Sequence, residues 1–155
     1  MNFLKNGCLL LLLLVVLTAC QLVKTSENAE GWQEQLVGLE DANLFLEQAT
    51  AKGSVVTYTT KGCVIDRLIE VGNTATIAAP GNETEEMLKH RMTIHYLEQC
   101  MFLFANIHSK THQVTYSLAT ISDINNQSNL TVYGEVDEEG ILNAQAVFIT
   151  SFGEK

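Results

Sequence analysis

The sequence predicts a domain of the α+β class that is mainly β, and three observations carry this prediction. From Ser54 onward, β-branched residues recur with a period near two, in runs separated by short breaks that contain glycine. A stretch in the middle of the chain, which begins at Asn82, carries a helix-start signal. The strongest apolar run is confined to residues 8–17. The length of 155 residues suits one domain of ordinary size.

The N-terminus predicts a secretion signal that ends in a lipid anchor. A positive charge precedes the apolar run 8–17, which at about 10 residues is too short to span a bilayer and suits a signal peptide. Residues 17–20 read Leu-Thr-Ala-Cys and resemble a bacterial lipobox, so we expect residues 1–19 to be removed and Cys20 to be lipidated. Gln21 implies sorting to the outer membrane, with the protein facing the periplasm or the cell surface. An ordinary signal peptide with a coincidental cysteine is the alternative.

A polar tether and an N-terminal helix precede the strands. Residues 20–31 are polar and predict a flexible tether between the lipid and a single domain at 32–155. Apolar residues at roughly helical spacing predict one or two helices between about 32 and 51, with Asp41 as an internal cap. The polar face of this segment is acidic, which favours a helix docked on the domain over one that lies on a membrane.

The predicted strands follow the β-branched runs. They lie at residues 55–60, 64–71, 74–79, 101–107, 113–121, 130–136 and 141–152. Lys61-Gly62 and Gly72-Asn73 suit hairpin turns, and residues 137–140 suit the turn of a last hairpin. Residues 141–152 are apolar on both faces, which indicates either a central strand or a strand that docks on a partner.

One central helix interrupts the predicted strands. It begins at the cap sequence 82–86 and runs through residue 98, with Leu88, Met92 and Tyr96 on one face. Strands with one central helix, in a domain of this size, predict a five-stranded barrel of the OB type. The complete fold prediction is therefore an OB-type small barrel with one central helix, an N-terminal helix and an added C-terminal β-hairpin.

Residues 72–122 resemble the B subunits of the cholera toxin and heat-labile enterotoxin family. The most specific piece is 92–98, Met-Thr-Ile-His-Tyr-Leu-Glu, which is similar to a Leu-Arg-Ile-Ala-Tyr-Leu-Thr pattern in the family's helix. The matching pieces in chain order are Pro80-Gly81, the helix 87–98, the loop pair Lys110-Thr111 and the strand end 119–122. The resemblance implies an OB barrel, a homo-oligomeric ring of five subunits, and receptor glycans bound at the rim.

The sequence departs from this family at the sugar site. Where the family has a tryptophan before its loop, this chain has Ile107, and Ala79 stands where an acid is expected before Pro80. Lys110 alone carries over from the family's loop, and with His108, which lies close to it in the sequence, it is predicted to bind a ligand. The aromatic residue on which the family's sugar stacks has no counterpart at this position.

Processing leaves an acidic mature chain with two further cysteines. The signal contains one Lys and no acid, so 9 basic and 18 acidic residues become 8 and 18, a net charge of −10. This balance argues against nucleic-acid binding and leaves membrane attachment to the acyl chains. Cys63 and Cys100 are an even number in an oxidising compartment and predict one disulfide. Free or metal-bound thiols are the alternative.

No catalytic residue, cofactor or metal is predicted. The chain contains no Gly-x-Ser-x-Gly, Walker or dinucleotide-binding motif, and the acidic residues 137–139 fall on a predicted turn. His108 and His112 have the spacing of metal ligands only on a helix, and in a loop they are solvent-exposed side chains. We therefore expect a protein that is not an enzyme.

Three functions remain open at this point. The first is a non-catalytic, lipid-anchored binding protein that recognises a glycan or a protein at the bacterial envelope. The second is an accessory or assembly lipoprotein of a secretion, pilus or conjugation apparatus, with the C-terminal hairpin as its docking surface. The third is a receptor-binding subunit of the toxin B type. Retention on glycans would favour the first or the third, and a stable complex with envelope proteins would favour the second.

Overall fold

The computed structural model describes residues 36, 38–71, 74–76 and 85–153. The chain divides into two units after Gly38, and every described helix and strand belongs to the second unit. The elements in chain order are α1 Ala42–Glu47, β1 Ala51–Tyr58, β2 Gly62–Arg67, β3 Ile69–Val71, β4 Thr74–Thr76, α2 Glu85–Leu88, β5 Arg91–His108, β6 Val114–Leu118, a 3-10 helix Ile121–Asp123, β7 Asn129–Val136 and β8 Leu142–Gly153. The predicted signal 1–19, Cys20 and the tether 20–31 lie outside the described residues.

Five strands close into a small barrel. Around the barrel their order is β1, β2, β5, β8, β7 and back to β1. All neighbours are antiparallel except β5 and β8, which run parallel. β6 extends the sheet from the second half of β5, and β3 and β4 form a separate two-stranded ribbon. The prediction of a mainly β domain built on a small five-stranded barrel is thereby confirmed.

The predicted long central helix is wrong. The helix spans only Glu85–Leu88, and the chain continues from Arg91 as the 18-residue strand β5. Ile94 is buried between exposed Thr93 and His95, so this segment alternates as a strand does. Pairing with β2 on one side and β8 on the other satisfies the backbone hydrogen bonds across the barrel. Tertiary pairing therefore overrides an apolar spacing that also suits a helix.

The predicted hairpins are confirmed where the structure describes them. β1 and β2 join through residues 59–61, with Tyr58 opposite Cys63. β3 and β4 pair with Val71 opposite Thr74. The predicted turn Gly72-Asn73 lies outside the described residues, and so do residues 77–79 at the end of the predicted strand 74–79.

The last hairpin closes as its turn residues predict. The Asp137 carboxylate accepts hydrogen bonds from the amides of Glu139 at 3.0 Å and Ile141 at 2.9 Å. Gly140 has φ of +81°, a left-handed conformation that glycine adopts without steric cost. These bonds stabilise the charged carboxylate and lower the pKa of Asp137.

The barrel interior is a contiguous apolar core. Its buried members come from all five barrel strands and from the segment before β7: Ala51, Val55, Cys63, Ile65, Ile94, Ile124, Leu130, Val132, Leu142, Ala144 and Val147. Full burial of one aliphatic side chain of this kind contributes about 1.5–3 kcal/mol. The interior is therefore filled by side chains and supports the fold rather than a ligand.

Helix α1 forms a second core on the outside of the barrel. Asp41 caps it as predicted, since its carboxylate accepts from the amides of Asn43 at 2.9 Å and Leu44 at 3.2 Å. Phe45 is 0% exposed, and its ring lies 5.1 Å from that of Phe148 in an edge-to-face contact. The rings of Tyr116 and Tyr133 complete the cluster, at 5.8 and 6.1 Å from Phe45.

Two tyrosine hydroxyls hold α1 against the sheet. Tyr116 donates to the carbonyl of Leu39 just before the helix, and Tyr133 donates to the carbonyl of Phe45 within it. Burial raises the pKa of Tyr133 to about 12, and it raises the pKa of Tyr116 as well. Both phenols therefore keep their protons, and so their ability to donate, at neutral pH.

The C-terminal hairpin is an integral part of the barrel and not an addition to it. β8 pairs with β5 on one side and β7 on the other. Leu142 and Val147 belong to the barrel interior and Phe148 lies beneath α1, while Phe152 near the end of the strand is exposed. Of the two interpretations of this two-sided strand, the structure supports the central strand.

Candidate functional site

A concavity lies on the outside of the barrel, beside α1. We call it the outer groove, and its volume is about 350 Å³. Its lining residues come from α1, β1, β7, β8 and the link after β2: Asn43, Leu46, Glu47, Lys52, Gly53, Leu68, Asn129, Leu130, Thr131, Thr150 and Phe152. The outer groove lies next to the outer core, at the end of helix α1. The helix is short and leaves this part of the outer sheet face uncovered.

The floor of the outer groove carries a buried pair of hydroxyls. The Oγ1 atoms of Thr131 and Thr150 are 2.8 Å apart and hydrogen-bonded to each other. Both residues are buried, and Thr150 Oγ1 also lies 3.3 Å from the carbonyl of Phe148. Because each hydroxyl satisfies the other, the floor is polar without an unpaired buried group.

The rim of the outer groove combines an aromatic ring, amides and one charge of each sign. Phe152 is 67% exposed, which is unusual for a phenylalanine on a barrel strand. Asn129 Oδ1 accepts from Ser54 Oγ at 2.8 Å, which fixes the orientation of its amide. Glu47 and Lys52 give the rim no net charge. Apolar walls with a few placed polar groups are typical of ligand sites.

A smaller concavity lies at the turn between β1 and β2. We call it the turn pocket, and its volume is about 210 Å³. Its lining comes from the turn and from strands β1, β2 and β5: Thr57, Tyr58, Thr59, Lys61, Gly62, Cys63, Val64, Thr93, Ile94 and His95. It is formed where the turn folds against the first half of β5, with Gly62 opposite His95.

The structure places the two predicted ligand-binding residues in the β5–β6 turn. His108 ends β5, and its Nδ1 accepts from the amides of Lys110 at 3.3 Å and Thr111 at 3.2 Å. Lys110 is exposed at the tip of this turn. The His112 amide donates to the His108 carbonyl, but His112 has φ of +57°, so the two histidines close a tight turn and do not lie on a helix. Neither residue lines the outer groove or the turn pocket.

Cys63 and Cys100 are both free thiols in the structure, so the disulfide stays a prediction. Burial raises the pKa of Cys63, and burial together with the neighbouring Cys63 raises the pKa of Cys100 to about 12. A break in register between Tyr96 and Met101 bulges β5 at this point. The Tyr96 hydroxyl is buried without an ordinary partner among the described residues and has a weak polar contact with Cys63.

The described part of the chain offers neither a metal-binding cluster nor a membrane-spanning helix. Within it, no group of three or more His, Cys, Asp and Glu side chains could hold a metal ion. None of the helices described is long and apolar enough to cross a membrane.

Comparison with protein-family models, curated proteins and solved structures gives no match for this chain. The resemblance to enterotoxin B subunits therefore stays a prediction, and the proposed function depends on the geometry of this chain.

Neither the outer groove nor the turn pocket could be predicted from the sequence. The outer groove draws its lining from segments up to about a hundred residues apart, and no local motif marks such a set. The sequence places Phe152 at the end of a strand that is apolar on both faces, but the exposure of its side chain depends on where α1 ends. The sequence places Lys61 in a hairpin turn, and no local pattern indicates that this turn packs against His95.

Proposed function

We propose that this protein is a non-catalytic, lipid-anchored binding protein with an OB-type barrel, which recognises a glycan or a protein at the bacterial envelope. Strand order supports the OB assignment. Numbered along the chain, the five barrel strands follow the order 1-2-3-5-4, with the third and fifth parallel. This is the connectivity of an OB barrel, a fold that commonly serves binding. The lipobox-like residues 17–20 support the anchor.

The outer groove is the observation that carries this proposal. Its volume can hold one sugar ring or a few side chains of a peptide. Phe152 offers an exposed aromatic face, and Asn43 and Asn129 offer amides that can donate and accept. These side chains suit recognition of a neutral, partly apolar group. They include no nucleophile paired with a base, so the groove suits binding rather than catalysis.

A binding experiment tests the groove. The mature protein is screened on a glycan array and, in parallel, used to capture envelope proteins by cross-linking. We expect Phe152→Ala and Asn129→Ala to reduce whichever binding is found, while Val136→Ala, a change at an exposed apolar residue outside the groove, leaves it unchanged. Equal binding by all three variants would place the site elsewhere and overturn the role of the groove.

A fractionation experiment tests the anchor. Cys20→Ser removes the acceptor of the lipid, so we expect the variant to leave the membrane fraction and lose mass corresponding to the acyl chains. Cys8→Ser is the matched control, because Cys8 lies within the predicted signal and is discarded. If the Cys20→Ser variant stays in the membrane fraction, the lipoprotein assignment fails.

The edge of β6 favours the second function, an accessory lipoprotein of an envelope apparatus. In the described part of the chain, β6 has β5 as its partner strand on one side, and only its first residue bonds on the other, where the amide of Val114 donates to Glu40. Leu118 on this strand is 77% exposed. A partner strand can extend a sheet at such an edge. Leu118→Lys should then abolish a stable complex with envelope proteins without changing groove-dependent binding.

A further inference from the structure

We propose that the turn pocket is an anion site, which binds a carboxylate or phosphate group carried by a ligand. This inference goes beyond the proposed function, since the outer groove and the turn pocket share no lining residue. Three features of the turn pocket support an anion site: the charge of its lining, the hydroxyl groups beside that charge, and the rigidity of the turn that carries Lys61.

The charge of the turn pocket is opposite to that of the chain. The sequence has 18 acidic and 9 basic residues, so a lining of average composition would contain more acids than bases. The described residues that line this pocket include Lys61 and His95 and no acid. In the described part of the chain, no carboxylate forms an ion pair with either side chain. A local positive site in an acidic protein attracts an anion without competition from its own carboxylates.

Hydroxyl groups complete the donor set around this charge. The Thr59 hydroxyl is already used within the turn, where it contacts the Gly62 carbonyl at 3.1 Å and the Lys61 amide at 3.1 Å. Thr57 and Thr93 lie on the neighbouring strands β1 and β5 and also line the pocket. Their hydroxyls can donate to oxyanions alongside the Lys61 ammonium group, and hydrogen bonds to a charged acceptor are the strong ones.

The turn holds Lys61 in place before any ligand arrives. The Thr59 amide donates to the Gly62 carbonyl at 2.8 Å, and the Tyr96 amide donates to the Lys61 carbonyl at 2.9 Å. Gly62 allows the close approach, because a Cβ at this position would lie 2.1 Å from the carbonyl oxygen of Ile94. The backbone of Lys61 is thus fixed beside β5, which reduces the entropy lost on binding.

The β5–β6 turn supplies a matched control. It also presents a lysine near histidines, Lys110 with His108 and His112. There, however, the His108 imidazole already accepts the amides of the turn, and none of these residues lines the turn pocket. A nonspecific attraction of anions to exposed Lys and His would act at both turns, whereas a built site would act only at Lys61.

A titration followed by NMR tests the proposal. The ¹⁵N-labelled mature chain carrying Cys20→Ser is titrated at constant ionic strength with sodium phosphate and, separately, with sodium acetate. We expect saturable shifts of the amides of Lys61, Gly62 and His95. Lys61→Gln should weaken binding about tenfold, the size expected for one hydrogen bond to a charged group, and Lys110→Gln should leave it unchanged.

The outcomes separate the ligand sources and the alternatives. Saturation by phosphate alone assigns a phosphate-bearing ligand, saturation by acetate alone assigns a carboxylate, and saturation by both supports the shared oxyanion chemistry. Shifts that do not saturate, that centre on residues 109–112, or that are the same in Lys61→Gln overturn the proposal. Binding at the outer groove is measured separately with Phe152→Ala, so either result leaves the proposed function to its own test.

Discussion

Replacing Phe45 by alanine should detach helix α1 from the barrel and remove one wall of the outer groove. Phe45 is 0% exposed and contacts the rings of Phe148, Tyr116 and Tyr133. The change removes a complete aromatic side chain from a packed cluster and leaves a cavity. Truncations of this kind cost about 3–5 kcal/mol, of which the edge-to-face contacts supply a part.

The measurement is urea unfolding followed by circular dichroism. With a slope of about 1.5 kcal/mol per M for a domain of this size, the loss corresponds to a fall in midpoint of about 2–3 M. Leu44→Ala is the matched control, because Leu44 lies next to Phe45 in the same helix and is 44% exposed. Its change should stay within about 0.5 kcal/mol, as is usual for a surface site.

Two results would contradict this reasoning. If Phe45→Ala lowers the free energy of unfolding by less than about 1 kcal/mol, or by no more than Leu44→Ala does, α1 does not depend on the outer core. Native-state hydrogen exchange gives a second reading, because the Gln48 amide, which donates to the Leu44 carbonyl at 3.0 Å, should lose protection in Phe45→Ala alone. Unchanged protection would mean that the helix is held by its cap and not by its packing.

Three further predictions concern the groove floor, the thiols and the last turn. Thr150→Val should cost about 1–3 kcal/mol because it leaves the buried Thr131 hydroxyl unpaired, whereas Thr131→Val should cost less because the Thr150 hydroxyl keeps the Phe148 carbonyl as its acceptor; the double change should cost less than the sum, and strict additivity in urea unfolding would contradict this. If Cys63 and Cys100 form the predicted disulfide, reduction should lower the free energy of unfolding by about 4 kcal/mol, and two thiols titratable in the unreduced, unfolded chain would contradict it. Asp137 has a lowered pKa in the folded state, so its contribution to stability is present above its unfolded pKa of about 3.9 and is lost as the pH falls through the lower folded pKa. Asp137→Asn should therefore make the free energy of unfolding depend less on pH in the acid range. An unchanged dependence on pH would refute the role of Asp137 in the last turn.

The parts of the fold that depend on local chemistry were predictable from the residues. Asp41 caps α1 because a side-chain oxygen one residue before a helix reaches its free amides, whatever lies elsewhere in the chain. The turn at residues 137–140 follows in the same way from an Asp that bonds its own backbone and a Gly at positive φ. Both features need only neighbours within about four residues.

The segment around Ile94 could not be assigned in this way. Its apolar residues satisfy a helical spacing and a strand spacing at once, so periodicity alone does not choose between them. The choice depends on β2 and β8, which offer backbone partners on both sides of β5. β8 lies about fifty residues further along the chain, so the deciding interaction is tertiary.

The candidate sites likewise combine features that follow from local residues with features that only the tertiary structure determines. The sequence on its own was enough for the mainly β class, the helix cap, the hairpin turns and the acidic balance, because each depends on residue types and short spacings. Only the folded barrel decided that residues 141–152 form a central strand, that Phe152 borders a groove and that Lys61 and His95 line one pocket without an acid. A groove and a charged pocket are properties of surfaces that come together from distant segments, and closure of the barrel is what brings those segments together.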